Sequence, residues 1–266
     1  MPDWGALDVS YSTLTFQAAS SIQYGTLTWS GNQDTKGSWS VLGTTTIPYH
    51  GFFVLIASIS TATTSLTDIA VGSPPSVVLS DIMLGTPRVS MNSCYVYVPT
   101  AVASNTALWA RTQAFATNSV VHVQIYGSTG GFPGMPRFSF ARTYGTMTNS
   151  NWILSDSGAT SNTKGPWVVI GTPSYHVKGG QLLVSAGTVN ASLDSFYAVD
   201  IGIGSPVQII FGDLLFKSDG TSDLFTPSSL SLLCNIASGT AISVRHKCQL
   251  TNATARLMRF QFIGYH

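Results

Sequence analysis

The aspartates, histidines and cysteines of this chain are the residues that could carry catalysis or bind a metal, and their spacing favours neither. The sequence contains no glutamate, so any carboxylate acid or base must be an aspartate, and no two aspartates form a tight pair in sequence. The three cysteines and five histidines show no zinc spacing, since His246 and Cys248 stand apart from the others. Gly202-Ile203-Gly204 lacks the third glycine of a dinucleotide-binding fingerprint, and no Gly-x-Ser-x-Gly elbow precedes a helix. We therefore expect no catalytic residue, no cofactor and no metal, and a protein that is not an enzyme.

Tryptophans are the other residues with recognisable chemistry, because they bind sugars or protein partners. Trp39 and Trp167 occur at the same point of an internal repeat, and for these two we favour a core or inter-sheet anchor over a sugar platform. Aromatic residues without a counterpart in the repeat are better candidates for contacts with a partner. These candidate partner contacts are Trp4, Trp29, Trp109 and Trp152.

The repeat covers most of the chain. Residues 34–44 (DTKGSWSVLGT) return as 162–172 (NTKGPWVVIGT), 68–74 (DIAVGSP) return as 200–206 (DIGIGSP), and 81–84 (DIML) answer to 213–216 (DLLF). Tyr49-His50 is matched with Tyr175-His176. A unit of about 130 residues is the size of a complete domain and too long for a solenoid repeat. We expect a first unit at 1–128 and a duplicated second unit at 129–266, separated by a glycine-rich stretch. Residues 1–8 lie outside the strand pattern and form either an N-terminal arm that docks onto a neighbour or a disordered end.

Several repeated residues are predicted to serve the scaffold. Gly72 and Gly204 would supply a backbone angle that other residues resist, where a strand runs into a turn. Asp68 and Asp200 are assigned to the same turn chemistry; the alternative, metal ligation, lacks a second acid at ligand spacing. Arg111 and Arg245 are the remaining scaffold positions.

Composition predicts an all-β fold. Charged residues make up only 9% of the chain, and the scarcity of Lys and Glu argues against exposed helices. Alternating strand-like runs separated by Ser, Thr, Gly and Pro recur at intervals typical of sandwiches, eight or nine in each unit. We expect two tandem homologous antiparallel β-sandwiches, most simply jelly rolls. The rival immunoglobulin-like sandwich would have a cysteine pair flanking a tryptophan, which this sequence lacks.

Charge and cysteine usage limit the classes of partner. Residues 1–128 carry three Lys/Arg and five Asp, and residues 129–266 carry nine Lys/Arg and six Asp, so neither half has the basic footprint of a nucleic-acid-binding protein. The longest apolar run is too short for a membrane-spanning helix, and no secretory signal opens the chain. Three dispersed cysteines fit buried thiols in a reducing cytoplasm. We expect neither nucleic acid nor a membrane among the partners.

The order of the repeated motifs resembles a known class of protein. Asp-Ile-(Ala/Gly)-(Val/Ile)-Gly-Ser-Pro, followed by residues 81–84 (DIML), then 98–106 (VPTAVASNT) and Arg111, resembles β-sandwich structural proteins of tailed-bacteriophage virions. The resemblance implies a non-enzymatic virion protein, made in the host cytoplasm, with no catalytic residues. We expect a head decoration or cement protein that binds the major capsid protein or other virion proteins and forms a homo-oligomer, a dimer or trimer. The alternatives are a tail, collar or fibre component that adheres to host glycans and, third, a stand-alone carbohydrate-binding protein.

Overall fold

A computed structural model describes residues 25–28, 35–59, 64–85, 95–114, 120–129, 138–145, 153–186, 195–218, 228–251 and 256–266. These residues form seventeen β-strands and no helix. The expected all-β class is confirmed. The sequence also predicts a strand at residues 12–18; this strand and the N-terminal segment at residues 1–8 lie outside the described residues.

The first eight strands form two antiparallel sheets. Their hydrogen-bonded orders are β1-β8-β3-β6 and β2-β7-β4-β5, which is the strand order of a jelly roll. The sequence predicts strands at residues 25–30, 39–42, 52–58, 66–71, 76–84, 94–98, 107–113 and 120–126, and all eight positions are occupied, with shifts of only a few residues at the ends. The strands are β1 (Gly25–Thr28), β2 (Ser40–Thr44), β3 (Tyr49–Ile59), β4 (Thr64–Val71), β5 (Ser76–Gly85), β6 (Tyr95–Val102), β7 (Ala107–Ala114) and β8 (Val120–Ser128).

The second unit repeats this topology. Its sheets are ordered β10-β17-β12-β15 and β11-β16-β13-β14, with β9 also pairing with β17, so the two units are homologous antiparallel sandwiches, as expected. Among the described strands, none of one unit pairs with a strand of the other. The strands are β9 (Ala141–Tyr144), β10 (Leu154–Asp156), β11 (Val168–Gly171), β12 (Gly179–Ala186), β13 (Ser195–Ile203), β14 (Gln208–Ser218), β15 (Ser228–Leu232), β16 (Ile242–Cys248) and β17 (Leu257–Tyr265).

Strand register corrects one pair of the sequence repeat. Tyr49 lies opposite Val102, and Val177 lies opposite Ile236; both partners directly precede the matched Ala-Ser segments of the two units. Val177 therefore occupies the place of Tyr49, two residues from the position that the sequence match assigns. Tyr49 is buried in the first unit, whereas Tyr175 is 50% exposed. The Tyr-His match is accordingly a coincidence of sequence.

The buried core of the first unit continues into the second. One hydrophobic cluster contains the interior of the first sandwich together with Leu183, Ile263 and Tyr265 of the second. These three side chains project from the outer side of the sheet that contains β12 and β17, because their neighbours Leu182 and Phe262 belong to the second unit's own core. The two sandwiches are therefore joined through a core-like contact, in addition to the linking chain.

Two buried glutamines complete this contact by hydrogen bonding to edge strands. Strands β5 and β6 each end a sheet of the first unit, so one row of their peptide groups needs partners. Gln261 accepts from Met83 N–H (2.7 Å) and donates to Asp81 C=O (2.5 Å). Gln181 accepts from Tyr97 N–H (2.9 Å) and donates to the Tyr95 carbonyl (3.4 Å). Each side-chain amide thus bonds residues i and i+2, as one residue of a parallel neighbouring strand would.

Candidate functional site

Repeated charged residues of the first unit gather on the outer face of the sheet that contains β4 and β7. Asp68 lies within β4, directly opposite Arg111 of β7, and is 1% exposed. Arg111 Nε donates to Asp68 Oδ2 at 2.8 Å, and Lys36 Nζ contacts both carboxylate oxygens at 2.9 and 2.8 Å. The Asp81 backbone N–H donates to Oδ1 at 2.8 Å, and the Asp81 carboxylate pairs with Lys36 at 2.8 Å. These four residues are called the ion cluster.

The second unit contains the same ion cluster. Arg245 Nε donates to Asp200 Oδ2 at 2.9 Å, and Lys164 Nζ donates to Oδ1 of the same carboxylate. The Asp213 N–H donates to Asp200 at 2.9 Å, and the Asp213 carboxylate pairs with Lys164 at 2.8 Å and with Lys247 at 3.0 Å. Asp68 and Asp200 therefore lie within strands and hold cations from the chain, which replaces the predicted turn role with a structural ion-pair role.

In the second unit, the partners of Asp200 and Asp213 depress the pKa values of both acids. Burial acts to raise the pKa of Asp200, but hydrogen bonds from Lys164, from the Asp213 N–H and from Arg245 outweigh it and lower the pKa below its usual value. Hydrogen bonds from Lys164 and Lys247 lower the pKa of Asp213 to about 2. Both acids are therefore ionised at neutral pH, as the ion pairs require.

The repeated tryptophans cover the ion clusters from outside. The guanidinium carbon of Arg111 lies 4.4 Å from the centre of the Trp39 ring, and Arg245 lies at the same distance over Trp167. Both indoles are half-buried on the outer face of the sheet, which differs from the predicted core or inter-sheet anchor. The stacking orients each arginine towards its aspartate and shields the ion pair from water.

Glycine is required at the turn that follows each buried aspartate. Gly72 and Gly204 have φ angles of +87° and +82°, a left-handed conformation that favours glycine, as the sequence predicts. The Ser73–Pro74 and Ser205–Pro206 peptide bonds beside them are both cis. The whole turn is thus conserved between the units in backbone conformation.

A second repeated feature lies beside this turn, and we call it the apolar row after the aliphatic residues at its two ends. In the first unit the row crosses four strands through directly paired residues: Val41, Trp109, Ala70 and Val77. In the second unit the matching residues are Val169, Ser243, Gly202 and Ile209. Both ends of the row are exposed in both units: Val41 by 53%, Val77 by 46%, Val169 by 57% and Ile209 by 53%. These exposed aliphatic side chains recur at matching places although they do not lie in the core, so holding the fold together does not explain why they are repeated.

The middle of the row differs between the units. In the first unit the half-buried Trp109 donates from its indole Nε1 to the Gly72 carbonyl at 2.6 Å. In the second unit a Cβ on Gly202 would meet Cγ1 of Val207 first and would lie 3.0 Å from Cη2 of Trp167, so these two side chains cover the place where the first unit has Ala70. Of the predicted partner contacts, Trp109 thus lies in the row, and Trp4, Trp29 and Trp152 lie outside the described residues.

A cleft of about 310 Å³ opens where the two units meet. Val77 and Thr100 line it from the first unit, and Phe140, Arg142 and Tyr175 line it from the second. The Arg142 guanidinium lies 5.9 Å from the centre of the Phe140 ring, and the Phe140 and Tyr175 rings meet edge to face at 5.2 Å. The cleft therefore combines a cation with aromatic and aliphatic surface.

His246 and Cys248 of the second unit are buried within the sandwich, and Cys234 is half-buried. His246 is fully buried; its Nε2–H donates to the Arg256 carbonyl at 2.8 Å, and Nδ1 accepts from the Ser155 hydroxyl at 3.0 Å. Burial lowers the pKa of His246 to about 4. Burial also raises the pKa of Cys234 to about 12, so this thiol is not a reactive thiolate. Among the described residues, no three His, Cys or Asp side chains gather as a group of metal ligands.

Sequence analysis missed some residues of these sites. Lys36, Lys164, Asp81 and Asp213 all lie in the repeated motifs, so their recurrence was the signal that could have found them. Gln181 and Gln261 gave no such signal, because their role exists only where one unit meets the other.

Comparisons with known proteins leave the family open. No family model matches the chain, and no curated protein matches it. Among solved structures, a tandem CBM22 domain pair of Xyn10C from Paenibacillus barcinonensis is 6% identical, with 94% of this chain and 96% of that chain covered and a TM-score of 0.28. The complex of the plant peptide RALF23 with FER and LLG2 matches at 10% identity, 91% and 88% coverage and a TM-score of 0.27. The VP2 subviral particle of infectious bursal disease virus matches at 10% identity, 92% and 68% coverage and a TM-score of 0.23. These weak likenesses carry no argument about function.

The described residues also include no helix long and apolar enough to cross a membrane.

Proposed function

We propose that this chain is a non-enzymatic structural protein of a bacteriophage virion, a head decoration or cement protein that bridges capsid subunits. The observation that carries the proposal is the apolar row, which exposes aliphatic side chains at matching places of both units. A capsid presents many copies of one surface, and a chain with two similar binding surfaces gains avidity on such a lattice. The resemblance of the repeated motifs to tailed-phage virion proteins points to the same role.

The ion clusters support this assignment because their charged residues already bind one another, so that only the exposed aliphatic residues of the row are left to bind a partner. The repeated charged side chains (Lys, Asp and Arg) pair with one another inside each unit, and the repeated tryptophans stack on those pairs. These side chains are therefore engaged in holding the sheet that displays the row. The exposed valines and isoleucine at the ends of the row remain as the repeated surface for a partner.

Binding to shells assembled without this protein tests the proposal. We expect Val41→Asp and Val169→Asp each to weaken binding by about a hundredfold, because a chain with one intact surface loses avidity, and the double variant to abolish it. Leu154→Asp is the matched control: this residue is 41% exposed on β10, away from the row, and its replacement should leave binding unchanged. The cement role would be refuted if wild-type protein failed to bind such shells and immunogold microscopy placed it at the tail.

The cleft between the units favours the second candidate, a tail, collar or fibre component that binds host glycans. Aromatic rings beside a cation suit a sugar that carries a carboxylate, since the ring face packs on the sugar and the guanidinium pairs with the acid. A glycan array with reproducible hits that Tyr175→Ala and Arg142→Ala both abolish would favour adhesion over cementing.

A further inference from the structure

One side of the first sandwich is closed by the second unit. On that side, three core-facing residues of the edge strands β5 and β6 are fully buried, namely Ile82, Leu84 and Val96. They belong to the hydrophobic cluster that also contains Leu183, Ile263 and Tyr265 of the second unit. The second sandwich thus covers the edge strands of the first.

The matching side of the second sandwich is open. Its edge strands are β14 and β15, and the three residues that match those of the first unit are Leu214, Phe216 and Leu230. The first two are only half-buried, and the third is 37% exposed. Leu215 lies on the outer side of β14, because its neighbours face the core, and it is 74% exposed. We call β14 and β15, with these four residues, the open edge.

Strand β14 presents peptide groups along the open edge. Leu215 lies opposite Ala198, and the matching residue of the first unit, Met83, lies opposite Leu66 at the same step of the repeat. The N–H of Met83 points away from its own sheet, because it donates to Gln261. Since the N–H and C=O of one residue in an antiparallel strand point to the same side, both groups of Leu215 point away from its sheet as well. Within the described part of the chain, no hydrogen bond from another element reaches them.

The outward groups of β14 are complementary to a second copy of the same strand. When two copies lie antiparallel with Leu215 opposite Leu215, each residue donates its N–H to the C=O of the other. The same register places Asp213 of each copy opposite Lys217 of the other, so residues of opposite charge match on both sides of the centre. The Asp213 side chain is 61% exposed although it pairs with two lysines of its own chain. A register centred on Asp213 or on Lys217 would instead place like charges opposite each other.

We propose that the open edge binds the open edge of a second copy, with the two β14 strands paired about a two-fold axis. Two four-stranded sheets then join into one sheet of eight strands. The occupant is a second copy because β14 is complementary to itself in both hydrogen bonds and charge. The same axis brings the two β15 strands towards each other, which covers the core-facing residues of the open edge in both copies. The two surfaces are identical, so the contact closes at a dimer, and this dimer does not depend on the virion role.

Charges placed at the centre of the strand pair test the proposal in the full-length chain by sedimentation equilibrium. We expect wild-type protein to dimerise, and Leu215→Asp and Leu215→Lys each to weaken dimerisation by about tenfold or more, because like charges would replace an apolar contact. An equal mixture of these two variants should form a heterodimer, since an aspartate then lies opposite a lysine. Val169→Asp is the matched control and should dimerise as the wild type does, because this residue is 57% exposed on β11, at the other edge of the same sheet.

Circular dichroism on each variant separates a lost contact from a lost fold. A wild-type chain that stays monomeric overturns the proposal, and so do folded Leu215 variants that dimerise as the wild type does. Folded variants that stay monomeric when mixed overturn the two-fold register. A monomeric wild-type chain whose binding to capsid shells is lost in Leu215→Asp would overturn the dimer while keeping the virion role, with a capsid protein on the open edge instead.

Discussion

At the scale of single residues, each unit depends on one buried carboxylate. Asp68 and Asp200 are nearly inaccessible to water, yet each receives an arginine, a lysine and a backbone N–H. A buried carboxylate with these partners is tolerated. If the carboxylate were replaced by a neutral group, the lysine and the arginine would lose a counter-ion while still partly desolvated.

Replacing Asp68 with Asn should lower the free energy of unfolding by about 3 kcal/mol, because Lys36 and Arg111 would lose their common counter-ion. Denaturant titration measures the change. Asp156→Asn is the control, since Asp156 pairs with Arg256 while 40% exposed, and its loss should cost about 1 kcal/mol or less. Equal effects of the two variants would show that burial of Asp68 is energetically unimportant.

His246 makes stability depend on acid. Its pKa is about 4 in the folded chain and about 6.5 when unfolded, so between these values the unfolded chain binds the proton first. The contribution of His246 to the free energy of unfolding is fully present above pH 6.5. It decreases as the pH drops towards 4, by about 3 kcal/mol at most. Thermal melts from pH 7 to pH 4 should show a smaller decline for His246→Gln. Burial also lowers the pKa of His266, so His246→Gln should retain a smaller dependence of melting temperature on pH, with the same sign. If the pH dependence of His246→Gln equalled that of the wild type, other groups would be responsible for the whole effect.

At the scale of elements, the edge strands determine how the sandwiches meet. Strand β5 presents alternate peptide groups outwards, and Gln261 satisfies a donor and an acceptor there from a buried position. A glutamine is long enough to reach the edge and carries both functions of a peptide group.

Replacing Gln261 with Leu should lower the free energy of unfolding by about 2–4 kcal/mol, because Met83 N–H and Asp81 C=O would be buried without partners. Amide exchange at Met83 should accelerate in the same variant. The exposed Gln249 gives a matched control: Gln249→Leu should change stability by about 0.5 kcal/mol or less. Unchanged exchange at Met83 would mean that another group takes over the hydrogen bond.

The sequence predicts the elements better than the contacts between them. Alternation in residues 120–126 and the turn at Gly72 identify strands and their ends, because those signals are local. The ion cluster joins residues that are 32 and 43 positions apart, so only their recurrence in the repeat connects Lys36 or Arg111 with Asp68. The partners of Gln261 cannot be predicted in this way, because Met83 and Asp81 belong to the other unit. Trp39 illustrates the same limit: its recurrence is visible, but its place outside the sheet depends on Arg111.

At the scale of the whole molecule, the shared core makes the two units one cooperative body. Ile263 and Tyr265 belong to the second unit's strand β17 but are buried with the first unit's side chains. Unfolding either unit alone would expose this surface to water.

We therefore expect a single calorimetric unfolding transition, with equal calorimetric and van't Hoff enthalpies. Ile263→Asp should shift that one transition to lower temperature without splitting it, because burying the charge weakens both units at once. Two resolved transitions in the wild-type protein would show that the contact between the units is weaker than its burial indicates.

Gln261 caps the edge strand β5, and translation produces this cap later than the strand. Met83 and Gln261 are 178 positions apart, so a ribosome that adds roughly 5–20 residues per second synthesises the cap roughly 10–40 s after the strand it protects. Throughout that delay a nascent first unit presents β5 to the other nascent chains of the same polysome, with peptide groups available for strand pairing. The rate of translation between β5 and β17 therefore sets how long each growing chain is open to misassembly.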